Sequence, residues 1–395
     1  MAFNIRPNTT QVLYPYNGHL NPNEVFGDIY NMIISQTVQY PELADNYGFV
    51  EMFRTDLTQF GDTKLFYDQD VLSSRDWLGD AEASNLLSVE RPADPKCQAI
   101  VLNQYRIIKT TLDNYLTKRA WSTEGAFSTF QGIVQSMISK TKELYEATLI
   151  NTFIGTMKGE AEDGAEVIDY EVPLSDITAV GEEKNRLEAQ TIAQHLADLI
   201  VDMKDYTRKY NDYKFMRAYK EDELLVIWSS KFVNKINKLD LPTIFNKAGL
   251  MDKFAQHILP NRFFGTQLDT NALPNGFTVS EEGGKTYVVI GESAAGTVRA
   301  MEEYDYASGH KFAGEELKAG DKIPLKADGS VPAYVEDEDV ICKVITKDTV
   351  KYGSSFTTAT DFYNPQSLTH SHMLIWGFAA PARLKGQPCV TVHAD

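Results

Sequence analysis

The chain is poor in cysteine, in positive charge and in long apolar runs, and each shortage removes a class of explanation. Its three cysteines, Cys97, Cys342 and Cys389, are scattered through 395 residues. That is too few for a disulfide framework, and no two have the close spacing of a zinc knuckle. A reducing compartment is expected. Lys and Arg number 38 against 55 Asp and Glu, a formal net charge of −17, which argues against a surface built to grip nucleic acid. The longest apolar stretches, such as 224–228 and 373–380, fall far short of the roughly 18–20 residues that cross a bilayer. No membrane segment is expected. Residues 1–7 lack a basic stretch followed by an apolar run, so no secretory leader is expected either.

Motifs of the common enzyme classes are missing too. There is no Walker loop, no dinucleotide-binding glycine fingerprint opening a helix, no Gly-x-Ser-x-Gly elbow and no His-Glu-x-x-His pair. No catalytic residue, cofactor site or metal site is therefore assigned. His370-Ser371-His372 offers two imidazoles on one face of a strand, but no Cys or acid stands within several residues to serve as a third ligand. Residues 336–339 are all acidic, yet they lack the glycine and closing Glu of a calcium loop and read as a solvated turn. Carboxylate pairs suited to glycoside hydrolysis meet only in the fold, and with 55 acids present any nominated pair is uninformative.

What the chain does have is enough apolar material for a sizeable core: 43% hydrophobic and 11% aromatic residues. Its length suits two or three domains. Residues 1–50 hold Arg6 as their sole Lys or Arg and show no sustained apolar period. They read as an extended arm with one short helix near 22–39, capped by Asn21 or Asn23. Such an arm has too little core to fold alone and must lie on something larger. Segments 63–71 and 97–111 have strand character and flank a polar stretch containing Pro92 and Pro95, which reads as a long two-stranded projecting loop. Isolated hairpins are marginal in water, so this one is expected to rest on a partner surface.

From Ser122 to about Gly155, apolar residues including Phe127, Phe130, Val134, Met137, Ile138, Tyr145, Leu149 and Phe153 recur at three- and four-residue spacing. This predicts a helix of about 50 Å, with Ser122 as N-cap and Gly155 as its stop, and with Gly125 and Gly132 as places to bend or to admit another backbone. A second amphipathic helix is expected over 182–210, burying Leu187, Ile192, Leu196, Leu199, Ile200, Met203 and Tyr206. His195 shares that face and reads as a core or boundary histidine. A buried strand at 224–228 and helices at 229–239 and 243–248 follow.

Residues 266–339 change character, with glycine turns, short strands at 285–290 and 322–325, and eleven acids against four lysines between Glu302 and Asp339. Gly276 and the Gly283-Gly284 pair sit where hairpin turns need positive φ. This reads as a small β-rich insertion, after which strands resume at 340–345, 373–380 and 390–393.

In order, the chain thus holds an arm, a projecting hairpin, a spine helix, an α/β unit, a β insertion and returning strands. That α+β order resembles the tailed-bacteriophage major capsid protein of the Hong Kong 97 type. Several segments look like the shell protein of short-tailed phages of the phi-29 type: Ile34-Ser35-Gln36-Thr37-Val38-Gln39, residues 222–232 with their strand-to-helix turn, 239–265, and 340–352 around Lys347-Asp348. The resemblance implies an N-terminal arm (1–50), an extended loop (51–117), a peripheral domain (118–180 with 356–395) and an axial domain (181–355) containing the insertion (266–339). It implies a structural, non-enzymatic protein of the virion, assembled in the host cytoplasm as hexamers and pentamers of an icosahedral or prolate shell that encloses double-stranded DNA without sequence-specific binding. The chain begins close to its arm, so a separate scaffolding protein is expected, with a portal, during assembly. No matched Lys–Asn pair is evident, and no covalent cross-linking is expected. Arg54, Lys64, Arg75, Arg91 and Arg106 are the candidate intersubunit contacts, in a region where basic residues are scarce; taken singly, each reads more readily as a solvated surface charge. A cellular encapsulating shell of the same fold, and more remotely a carbohydrate-active hydrolase or binding protein, are the alternatives.

Overall fold

The computed structural model describes residues 47–56, 63–74, 76, 91–102, 104–113, 124–161, 167–237, 255–270, 272–326, 329–367 and 369–395. The arm with its helix at 22–39, the cap Ser122, Arg75 and the helix at 243–248 lie outside the described residues. The chain divides into two compact units, one formed by 1–43, 107–139 and 358–374, the other by 44–106, 140–357 and 375–395.

The larger unit is built on a five-stranded sheet in the order β5 (Asp169–Val172), β19 (Cys389–Ala394), β16 (Val340–Thr346), β6 (Leu224–Ser229), β7 (Ala255–Leu259). Every residue of β6, Leu-Leu-Val-Ile-Trp-Ser, is buried. Successive side chains on a strand point to opposite faces, and here each face has its own core. Leu224, Val226 and Trp228 join Ile192, Leu196, Leu199, Ile200 and Met203 of helix α3 (Glu182–Lys204). Leu225 and Ile227 join Ile150 and Ile154 of helix α2 (Glu124–Thr156). A strand covered on both sides has no polar alternation, which is why it reads as an apolar run in the sequence.

Helix α3 ends at Lys204 rather than at 210, because the chain turns back and the Tyr219 N–H takes the Met203 carbonyl at 3.0 Å. Tyr206, expected on the buried face, is instead 78% exposed. Helix α2 has 33 residues, about 50 Å at 1.5 Å per residue. Its buried stripe in the larger unit includes Tyr145, Leu149, Ile150 and Ile154, whereas Met137 is exposed. Gly155 falls inside the last turn. A Cβ there would meet the Phe263 carbonyl oxygen at 1.9 Å, so glycine is needed for close approach of a neighbouring backbone, and not as the helix stop.

The insertion folds around a core of its own that includes Val288, Ile290, Val298, Leu317, Ile323 and Ala333. Strand β10 (Lys285–Ile290) lies between β9 (Phe277–Glu282) and β14 (Lys322–Pro324), and β15 (Ala333–Glu336) lies between β11 (Val298–Ala300) and β8 (Gly265–Gln267). Gly283 and Gly284, at φ 59° and 75°, form the two-residue turn between β9 and β10, the geometry that a tight hairpin matched to strand twist demands. Asp321 is buried and accepts from the Ser308 N–H and hydroxyl and from the Lys318 N–H, at 2.8, 2.6 and 2.9 Å.

The segment expected as one strand over 97–111 is two. β3 (Lys96–Val101) pairs with β2 (Thr63–Asp68), while β4 (Gln104–Asp113) joins a different sheet, in the order β1 (Arg54–Asp56), β17 (Val350–Asn364), β18 (Thr369–Arg383), β4. Leu102, at the break between them, is fully buried with Ile100 against Ala379. These two side chains therefore have a core, contrary to the expectation of little core on either face. The smaller unit contains the outer parts of β4, β17 and β18 and the first half of α2.

Candidate assembly surface

The β2–β3 hairpin has two unlike faces, set by the register of its strands. Lys64 pairs with Ile100, Phe66 with Gln98 and Asp68 with Lys96; between them, Thr63 pairs with Val101, Leu65 with Ala99 and Tyr67 with Cys97. On the first set's side Ile100 is buried and Phe66, Gln98 and Asp68 are half-buried against the body of the same subunit, while Lys64 and Lys96 at its ends stay exposed. Phe66 packs at the cluster of Ile100, Leu102 and Ala379, and the Gln98 side chain donates to the Arg383 carbonyl at 3.2 Å and accepts from the Lys385 N–H at 2.7 Å. The second set carries no charge, and all six residues are exposed. Leu65, Tyr67 and Val101 are 49%, 66% and 40% accessible, an apolar strip that a lone subunit gains nothing by showing to water.

Two aspartates mark the place where the loop leaves the body. Asp68 forms an ion pair with Arg217, whose guanidinium also donates to the Gln69 carbonyl at 3.0 Å. Asp70 accepts from Arg208 at 2.5 Å and from the Met216 N–H at 2.8 Å. Burial alone would raise the Asp70 carboxyl, but the Met216 N–H, Arg208 and the Val71 N–H outweigh it and hold it below its ordinary value. The two arginines stand side by side because Thr207 and Arg217 exchange backbone hydrogen bonds at 2.9 and 3.0 Å. Asn211 closes the same knuckle, bonding the Phe215 carbonyl and N–H at 2.8 Å each, a local side-chain turn at which Lys214 takes φ 54°. Next to Asn211, Asp212 grips Arg383 in a bidentate, buried pair. Gly386 completes the fit, since a Cβ there would fall 1.5 Å from Asp68 Oδ2. A cleft of about 230 Å³ lies here, lined among others by Phe66, Lys96, Tyr213 and Lys351. Beyond Asp70, Val71 and Leu72 are 56% and 74% exposed, and Gln69 Nε2 reaches the Ala93 carbonyl of the returning leg at 3.5 Å.

The described candidates among the basic residues lie on different elements. Arg54 pairs with Glu51 at 2.8 Å. Lys64 is exposed, its ammonium 5.7 Å from the Phe66 ring centroid. Arg91 is exposed on the returning leg. Arg106 turns inward, stacking 5.0 Å over Tyr145 and donating to the Glu303 carbonyl at 3.4 Å. Arg208, Arg217 and Arg383 were not singled out by sequence, because their partners Asp70, Asp68 and Asp212 lie 138, 149 and 171 positions away.

The histidines take ordinary places. His195 is half-buried with Nδ1 3.2 Å from the Tyr170 hydroxyl. In the smaller unit His372 Nδ1 lies 2.5 Å from Asp361 of β17, and His370 stacks on His372 at 5.6 Å. Among the described residues no group of three or more His, Cys, Asp or Glu is placed to hold a metal ion. None of the described helices is long and apolar enough to cross a membrane. Of the acidic residues 336–339, Glu338 and Asp339 are exposed, as a solvated turn requires, with Glu338 paired to Lys231 at 2.9 Å, while Glu336 ends β15 half-buried against Arg299 at 2.8 Å.

Comparison with known proteins places this geometry. The family model described as Phi29-like phage major capsid protein matches residues 8–377. The fold is similar to that of a chain in the capsid structure of Staphylococcus phage Andhra, at 12% identity and a TM-score of 0.55, covering 92% of this chain and 87% of that one. It is similar also to a chain in a structure of native bacteriophage P68 with its head fiber and inner core protein, at 12% identity and a TM-score of 0.52, covering 92% and 91%. No curated protein matches.

Proposed function

The chain belongs to the Phi29-like phage major capsid proteins, tailed-phage proteins that form the head shell, and from that premise we propose how its surfaces build the shell. The family's role is structural and the protein's place is the virion. The observation that carries the reading is the match of the family model across residues 8–377.

The uncharged outer face of the β2–β3 hairpin and the segment 71–95 make the contact with a neighbouring subunit, and the arm over 1–50 lies across another. Exposed apolar area flanked by polar residues is what such a contact requires. Subunits gather as hexamers and pentamers of an icosahedral or prolate shell, with 51–117 as extended loop, 118–180 with 356–395 as peripheral domain and 181–355 as axial domain. The insertion faces outward, where its acids are compatible with solvent. At −17 the subunit repels the double-stranded DNA it encloses. The same charge opposes self-association, which supports the need for a separate scaffolding protein, with a portal, in host-cytoplasmic assembly. Arg54, Lys64, Arg75 and Arg91 serve as contacts to acidic patches on neighbours.

Size-exclusion chromatography with negative-stain imaging of the purified protein tests this. Closed particles, or hexamers and pentamers, are expected; a protein that stays a compact monomer with its scaffolding protein present overturns the reading.

A further inference from the structure

We infer that Asp68 and Asp70 are positioning residues for shell assembly, which through Arg217 and Arg208 fix the direction in which residues 71–74 leave the body; this rests on the reading of the loop they lead into as an intersubunit contact. The hairpin strands lie along the body as far as Asp68, and just beyond them both carboxylates are held by one knuckle. Asp70 adds a bond from a backbone N–H, that of Met216, so its direction is fixed as well as its charge. The knuckle is itself fixed. The Thr207–Arg217 backbone exchange sets the spacing of the two arginines, and the buried Asp212–Arg383 pair ties the knuckle to β18 next to the carbonyl that Gln98 uses. Gly386 lets Asp68 approach where any side chain would block it. A flexible loop anchored by apolar contact alone would leave its exit angle loose, since such contacts are non-directional. Charge-assisted hydrogen bonds are directional. The clamp therefore gives residues 71–74 one direction of exit from the body, and a closed shell needs that exit repeated from subunit to subunit.

The test compares wild type with Asp70→Arg, Arg208→Asp and the double exchange, using two measurements. Limited proteolysis of unassembled subunits reads the clamp without assembly, and electron microscopy of particles formed with the scaffolding protein reads assembly. Each single reversal is expected to speed cleavage within 71–95 about tenfold, the factor given by loss of ~1.4 kcal/mol, and to abolish closed shells. The double exchange re-forms the ion pair but not the bond from the Met216 N–H, so both readouts are expected to recover in part, between the single reversals and wild type. Should a reversal fail to fold, Asp70→Asn keeps the shape, removes the charge and is expected to act in the same direction. Unchanged cleavage overturns the clamp. Faster cleavage with normal shells overturns its role in assembly together with the contact reading, and single defects that the double exchange does not rescue overturn the pairing.

Discussion

The Lys343 ammonium, in the middle of β16, donates to the Gly155 carbonyl at 2.7 Å and to the Met157 carbonyl at 2.6 Å. It thereby meets the C-terminal end of α2, where carbonyls lack intrahelical partners and the helix dipole is negative. Lys343 is 1% exposed, and β16 alternates so that Val344 and Cys342 serve the α3 face while Lys343 and Ile345 serve the α2 face. A single cation thus joins the central sheet to the spine helix.

Burial pushes the Lys343 pKa down from 10.5 to about 8, against the pull of Cys389, Asp169 and Asp337. Between those values the unfolded chain holds a proton that the folded one has released, so folding stability from this group rises with pH across that window. Relative to Lys343→Met, the wild-type subunit is expected to gain ~3 kcal/mol between pH 8 and 10.5, measured by urea unfolding. Parallel pH profiles for the two proteins would sink the idea.

Gly155→Ala is expected to cost about 2–3 kcal/mol or more, since its Cβ would sit 1.9 Å from the Phe263 carbonyl oxygen. Gly132 lies in the same helix with nothing within 4 Å, and Gly132→Ala is expected to stabilise by about 0.5–1 kcal/mol. Thermal unfolding of the two variants should move in opposite directions. A shared direction would contradict the packing at Phe263.

Removing one partner of the buried Asp212–Arg383 pair strands the other charge. Asp212→Asn is expected to lose about 3 kcal/mol in urea unfolding. A loss within ~0.5 kcal/mol, the range of an ordinary surface change, would show that the pair is not held as described.

Charges placed on the outer hairpin face separate folding from assembly. Leu65→Lys and Tyr67→Glu are expected to leave unfolding midpoints within the ~0.5 kcal/mol of surface substitutions, yet to stop particle formation seen by negative stain. Normal shells from both would place the contact elsewhere.

Mature shells are expected to dissociate to monomer bands in denaturing gels, in keeping with the absence of an evident Lys–Asn pair. Ladders that resist boiling would refute this.

Legibility in the sequence followed physical locality. Strands β6 and β16 declared themselves because a run of buried side chains is visible without knowing what covers it, and β10 because its β-branched and aromatic residues follow directly on the Gly283-Gly284 turn. Strand β17 did not, since Gly-Ser-Ser-Phe-Thr-Thr-Ala-Thr has no apolar alternation and is largely exposed over 357–363; its pairing with neighbours, not its own pattern, makes it a strand. The break at Leu102 was hidden because both halves have strand character and only the partner differs. The clamp left no trace at all. Asp68 and Asp70 are ordinary acids among many, and what distinguishes them is the company of arginines more than 130 positions later.

Strand β19 lies between β5 and β16, pairing Thr391 with Asp169 and with Lys343. More than two hundred positions separate it from β5, so the central sheet has high contact order and its closure is slow. Until β19 inserts, β5 and β16 both present open edges that invite wrong pairing. Before a neighbour can be met without mispairing, one strand has first to find its slot inside the monomer.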